Sequence, residues 1–430
     1  MNRVAKNAVW IIGVRIVQAI VAMLINMLTA RYLGPSGFGL ITYASSLVAF
    51  VLPIMQLGLC NVLVQEIVNN PNDEGKILGT SIILSFISSI CCIAGVTAFV
   101  FVANPDEPTT ILVCFLYSLV LIFQAFDYVE YWYQAKLMSK YTSVISLVAY
   151  IVVSIYKIFL LVKGKSVYWF AISNALDYVL ISSGGLLLYR KLGGSKLKFS
   201  IETGRMMFEK SKHYILSSMM VTVFAQTDKI MLKMMLNESA TGYYGAAVTC
   251  AGMTGFVFTA IIDSFRPSIF EGLKDGKNVF RHRLAMLYSI VIYFSLAQSV
   301  VMTLFSRWII LILYGTAYNP AISALQIIVW YTTFSYMGSV RNIWILANDK
   351  QKYLWQINMF GAIANVIINV LLIPRMGING AAVASLITQF FTNVVVGYII
   401  KPIRGNNKII EEALKPKYLL DAAKKFRKSS

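Results

Sequence analysis

Residues 10–30 read WIIGVRIVQAIVAMLINMLTA, and this stretch decides the fold. At ~1.5 Å of rise per residue it is long enough to cross the ~30 Å hydrocarbon core of a bilayer as a helix. Its one ionisable residue, Arg15, lies inside the stretch and not at its edge, where facing lipid would cost at least ~2.5 kcal/mol. The same texture recurs as far as Ile400. Spans are expected near 10–30, 40–60, 77–103, 109–128, 142–162, 167–189, 214–235, 242–263, 284–305, 320–346, 354–373 and 378–400, about twelve in all. Several carry charges well inside their ends: Lys157, Asp177, Asp228, Lys229 and Arg341. A polar interior, and hence a pathway, is the expectation.

The composition, 58% hydrophobic and 13% charged, with a mean hydropathy of +0.68, leaves no soluble domain. A formal charge of +19 would fit nucleic acid if it were spread over a surface. Here, however, roughly 28 Lys and Arg fall in the segments on one side of the membrane and about 5 on the other. That bias orients the chain with both termini cytoplasmic and excludes a nucleic-acid partner. The first span lacks a small-residue cleavage site and is read as a permanent helix. Five cysteines without Cys-x-x-Cys spacing and only two histidines argue against a disulfide framework, a metal site or a histidine base.

The chain also repeats itself. A shift of 205 residues lays Gly37-Phe38 of RYLGPSGFGLITYA (Arg31–Ala44) over Gly242-Tyr243 of LNESATGYYGAAVT (Leu236–Thr249). A shift of 212 superposes Pro108 on Pro320, Trp132 on Trp344, Lys140-Tyr141 on Lys352-Tyr353, Lys163 on Arg375 and Ser173 on Ser385. Two halves with an even number of spans enter the membrane from the same side, as parallel repeats do. The expected fold class is an all-α polytopic membrane protein with two six-helix repeats around a central cavity. Its lobes are placed at 1–200 and 201–400, followed by a basic tail at 401–430. The glycine-bearing stretch from Tyr189 to His213 is expected to be a flexible connector.

The stretches ARYLGPSGFG, QLGLCNVLVQEI, QTDKIML, TGYYGAA, LYGTAYNPA and IPRMGINGAAVAS resemble the Wzx-type polysaccharide flippases of the multidrug/oligosaccharidyl-lipid/polysaccharide superfamily. The resemblance runs over nearly all the spans and rests on architectural motifs. It implies export of an undecaprenyl-diphosphate-linked oligosaccharide across the bacterial cytoplasmic membrane by alternating access, in exchange for protons or sodium. It also implies glycan polymerase machinery as a partner, no cofactor, and no bond made or broken. Some relatives have fourteen spans, and twelve here point to the twelve-span branch.

A headgroup with a diphosphate and sugars needs cations, amides, hydroxyls and aromatic faces. The first span offers Arg15, Gln18, Ala22, Asn26 and Thr29 at spacings of three or four, one face of a helix. The seventh offers Thr222, Gln226, Lys229 and Lys233 in the same way. Arg15 and Lys233 lie within about six residues of a span end, close enough for their long stems either to snorkel or to line the cavity; Lys229 is too deep for easy escape. Arg341 is either an anchor at the inner end of its span or a further phosphate contact. Asp177 is the best carboxylate for ion coupling and Asp228 the next, with Lys157 either paired to Asp177 or touching substrate. Gln124, Asp127, Glu130 and Gln134 run down one face into YVEYWYQAK, forming an inner vestibule in which Trp132 stacks on sugar or belongs to an interfacial belt. The tail from Lys401 is expected on the anionic inner leaflet.

Two rival readings remain. A cation-coupled drug exporter of the same superfamily would want an acidic cavity. A membrane polysaccharide polymerase or ligase would be an enzyme, and would need a larger outside loop than the one from Ser306 to Asn319.

Overall fold

In hydrocarbon every backbone N–H and C=O has to be paired within its own segment, which leaves helices for a chain of this composition. The computed structural model describes residues 3–421, with side chains from Gln18 onward except Ala19, and among these residues it contains helices and no strand. Residues 422–430, the end of the basic tail, and the side chain of Arg15 lie outside the described residues.

The helices are α1 (Arg3–Met55), α2 (Leu63–Asn69), α3 (Glu74–Ala103), α4 (Pro108–Ser118), α5 (Val120–Phe126), α6 (Val129–Ala135), α7 (Ser139–Val162), α8 (Val167–Lys191) and α9 (Ile201–Met235). They continue as α10 (Glu238–Gly252), α11 (Gly255–Lys274), α12 (Lys277–Leu313), α13 (Ala321–Ile328), α14 (Tyr331–Ala347), α15 (Leu354–Met376), α16 (Ile378–Phe390), α17 (Val396–Ile399) and α18 (Arg404–Ala413). A π-helical turn, Phe391–Val395, joins α16 to α17.

Nine runs among the described residues are long and apolar enough to cross a membrane. The difference from the expected number has physical causes. The first two spans run together as Ile20–Met55, interrupted only where Gly34 takes a left-handed φ of 67° before Pro35. In α9, Asp228, Lys229 and Lys233 dilute the apolar run, and α13 and α14 are short helices separated at Val329-Trp330. The chain is thus an all-α, multi-pass membrane protein.

Contacts divide the chain into unit 1, Met1–Gly242, and unit 2, Tyr243–Ser430. In unit 1, α9 packs along α1 and α3. The lobes at 1–200 and 201–400 are a division by repeat, and they stay a proposal beside this division by contact. One end of unit 1 is a knot of Leu59, Leu63, Tyr128, Trp132, Tyr133 and Tyr189.

The stretch expected to be a flexible connector is instead tied to the start of α3. Lys198 N–H donates to Gly75 O at 3.1 Å, Ser195 Oγ to Glu74 Oε1 at 3.0 Å, and Ser200 N–H to Thr80 Oγ1 at 3.1 Å. The Gly75-x-x-x-Gly79 face admits this backbone because a Cβ at either glycine would lie 2.4 Å from Lys196 O or 2.6 Å from Lys198 O.

In unit 2, a core of Leu284, Tyr288, Val291, Val340, Ile343 and Ile357 is covered by Ile409, Ile410 and Ala413 of α18. Tyr288 Oη donates to Asn406 Oδ1 at 2.9 Å, Asn407 Nδ2 donates to Val394 O at 2.7 Å, and Arg281 pairs with Glu412. The apolar face of the tail at 404–413 therefore lies on protein, and not in the inner leaflet as expected.

Candidate functional site

The side chains that matter most converge inside unit 1, on five elements. Asp127 ends α5, and Glu130 and Gln134 follow on α6, so a spacing of three and four aims all three the same way. On α7 the hydroxyls Ser139, Thr142, Ser143, Ser146 and Tyr150 form one face of a largely apolar helix by the same spacing. Asp177 and Tyr178 on α8 and Gln18 and Ala22 on α1 complete the wall of a cavity of about 760 Å³. A volume of this size, lined by carboxylates, amides and hydroxyls, has the room and the hydrogen-bonding groups for a polar guest.

Asp177 sits ten residues into α8 from Val167, ~15 Å along the axis and close to mid-membrane. Its Oδ1 is shielded from solvent and accepts no hydrogen bond. Lys157 does not neutralise it by contact: the Lys157 ammonium donates to Asn174 Oδ1 at 3.1 Å, and Asn174 Nδ2 in turn donates to Phe170 O. Glu130 accepts from Gln134 Nε2 at 3.1 Å. Among the described lining residues there are three carboxylates and no cation. This is an environment that attracts protons, metal cations or the hydroxyls and amines of a guest.

The structure brings Gln18, Asp127, Glu130 and Asp177 together, and leaves other expected site residues elsewhere. Trp132 is in the inner core, edge-on to Tyr133 and Tyr189 with ring centres 5.1 and 4.8 Å away. Gln124 and Asn26 are half-buried and do not line the cavity. On α9, Lys229 donates to Gln226 Oε1 at 3.0 Å, and Asp228 is buried. In unit 2, Arg341 is only 6% exposed and donates through Nη1 to Thr392 O at 3.0 Å, in the π-helical turn.

Lys233 also stands apart from the cavity. Its side chain, 2% exposed, is held between Glu107 Oε2 at 2.6 Å and Glu238 Oε2 at 3.2 Å. Burial of Glu107 favours its protonated form, but the Lys233 ammonium and the Thr110 hydroxyl outweigh it and hold the carboxyl below the usual range. Glu238 also accepts from Ser36 Oγ at 3.1 Å. Beside this cluster the backbones of α1 and α10 touch: a Cβ on Gly39 would lie 1.8 Å from Glu238 O, and one on Gly242 2.1 Å from Pro35 O. The first of the two repeat signatures is thus packed on the start of the second within unit 1.

Sequence reasoning missed the α7 hydroxyls and Tyr178. Their signal was present as polar positions at 139, 142, 143, 146 and 150, a helical stripe on an apolar span.

Comparison with known proteins bears on the same region. The family described as polysaccharide biosynthesis protein matches residues 4–273. The chain is 23% identical over 406 residues to the capsular polysaccharide biosynthesis protein CapF of Staphylococcus aureus, covering 93% of this chain and 99% of that one. Among solved structures, the lipid II flippase MurJ in an inward closed conformation superposes with a TM-score of 0.71 at 13% identity, over 94% of this chain and 91% of that chain. An inward-facing multidrug resistance MATE family transporter gives 0.66 at 13% identity, over 93% and 96%. At such identities the two structures establish a shared fold.

Proposed function

The chain belongs to the polysaccharide biosynthesis protein family, and from that premise we propose that it is a flippase for a lipid-linked oligosaccharide. It would move an undecaprenyl-diphosphate-linked repeat unit from the inner to the outer leaflet of the bacterial cytoplasmic membrane, with both termini inside. The observation that carries the reading is the 760 Å³ polar cavity within a membrane-spanning unit. Carboxylates, amides and hydroxyls bind sugar hydroxyls by the same hydrogen bonds they make with water, so a headgroup can shed its hydration there without leaving unpaired polar atoms.

In this reading Asp127, Glu130, Gln134 and the α7 hydroxyls hold the sugars. The cations of the first and seventh spans, Arg15 of α1 and Lys229 of α9, are assigned to the diphosphate. Asp177, unpaired in the cavity wall, is the coupling carboxylate: it binds a proton or sodium ion in one state and releases it in the other, and Lys157 adjusts the field around it, with Asp228 as the second candidate for coupling. The Glu107–Lys233–Glu238 cluster and the Gly39–Gly242 contact close the outer side and must part for release. No covalent step is needed, and the reading is that of a transporter and not an enzyme.

A second reading has an observation in its favour. Three carboxylates without a lining cation among the described residues also suit export of cationic drugs. Purified protein in vesicles separates the two. The flippase reading expects a lipid-linked oligosaccharide to move between leaflets while a cationic dye does not; dye transport without oligosaccharide movement would reverse the order.

A further inference from the structure

A second cavity in unit 1 has the opposite chemistry. It lies where α1, α3 and α9 meet, encloses about 300 Å³, and is walled by Phe50, Val51, Val96, Phe99 and Ile230. The one hydroxyl in its wall, Thr227 Oγ1, donates to Val223 O at 2.5 Å and is satisfied within its own helix. A water molecule needs two to four polar partners, so none is held here. An unfilled volume costs stability in proportion to its size, so the slot calls for an apolar occupant.

Its depth says where that occupant comes from. Gly95 to Phe99 lie four to eight residues before the end of α3 at Ala103, and Thr227 to Ile230 five to eight before the end of α9 at Met235, ~6–12 Å below those ends. The slot is therefore inside the hydrocarbon layer, with Phe99, 42% exposed, at its mouth.

We propose that this slot takes the first isoprene units of the polyprenyl tail of the lipid carrier; the assignment rests on the flippase reading above. Position is the first reason. Lys229, assigned to the diphosphate, lies at the depth of Thr227 and Ile230 on a neighbouring face of α9, so a headgroup bound at Lys229 lays the start of its tail around the helix into the slot. Shape is the second. At Gly95 an added Cβ would meet no atom within 4 Å, which leaves a notch in the wall for a side branch. A polyprenyl chain carries a methyl branch on each unit, and its flat double bonds pack on the rings of Phe50 and Phe99; a straight acyl chain offers neither feature.

The test uses the full chain in lipid nanodiscs with two photoreactive probes, adducts being located by mass spectrometry. One is a polyprenyl diphosphate with a diazirine on an isoprene next to the phosphates, the other a phosphatidylethanolamine with a diazirine in its acyl chain. The polyprenyl probe should label the slot residues of α1, α3 and α9, and excess unlabelled polyprenyl diphosphate should remove most of that label. Gly95→Leu, which fills the notch while raising helix propensity, should lower slot labelling on the order of tenfold. Equal labelling by the phospholipid probe, or no slot labelling by either, overturns the assignment. Leaflet transfer of a lipid-linked oligosaccharide, measured on the same protein, separates the two claims. Transfer without slot labelling sinks the slot alone, and slot labelling without transfer sinks the flippase reading alone.

Discussion

Asp177 and Lys233 show two fates for a charge inside a membrane protein. Asp177 faces a cavity without a contacting cation, and in the proposed reading it is the group that couples transport to an ion. Asp177→Asn should therefore remove the dependence of export on the ion gradient at unchanged protein level. Lys157→Gln should not restore it, since Lys157 is bonded to Asn174. Export in cells with and without a protonophore measures both, and rescue by Lys157→Gln would make Asp177 a mere counter-ion. Lys233 is instead consumed by its two carboxylates. Lys233→Met should cost about 1–2 kcal/mol, less than a fully buried pair because Glu107 is partly exposed. Since the Glu107 carboxyl is held below its ordinary value in the folded protein, this contribution is fully present above the ordinary carboxylate range. It is lost as pH falls through the lowered value, so the difference in Tm between wild type and Lys233→Met should be largest near neutral pH and shrink in acid. The sequence made Gln18, Asp127, Glu130 and Asp177 legible, because local helical spacing aims them. It could not do so for Lys233, whose partner Glu107 lies far away along the chain.

Elements were legible wherever apolar character ran unbroken, and failed where a contact is made by the absence of a side chain. The Gly75-x-x-x-Gly79 face that seats the 192–200 segment carries no polarity to read, and the segment's own charges and glycines pointed to flexibility. Likewise the repeat signatures aligned Gly37 with Gly242, without revealing that α1 and α10 touch there. Gly39→Ala puts a methyl group 1.8 Å from Glu238 O, so the backbones must separate, at a cost of about 1–3 kcal/mol or more. Gly39→Ala should lower Tm and reduce export. Gly252→Ala, where the same methyl would meet no atom within 4 Å, should change neither. Equal thermal stability of the two variants would mean that the Gly39 contact does not hold the outer side closed.

At the scale of the whole molecule, the all-α polytopic class followed from span length and composition, and membership of the polysaccharide biosynthesis proteins agrees with the motif resemblance. The division by contacts at Gly242 was not legible, because packing of α9 on α1 and α3 is a tertiary fact that periodicity does not encode. Nor was the location of the polar cavity within unit 1, as its wall comes from five elements spread from Gln18 to Ile181. The central claim is that this cavity receives the sugar headgroup of a lipid-linked oligosaccharide. The most direct measurement is leaflet transfer of a fluorescent undecaprenyl-diphosphate oligosaccharide in vesicles, comparing wild type with Asp127→Asn/Glu130→Gln and with Ser143→Trp, which fills the cavity from α7. Wild type should transfer the lipid, the amide pair should slow it on the order of tenfold, and Ser143→Trp should nearly stop it, with all three proteins folded. Unchanged transfer in both variants would contradict the account.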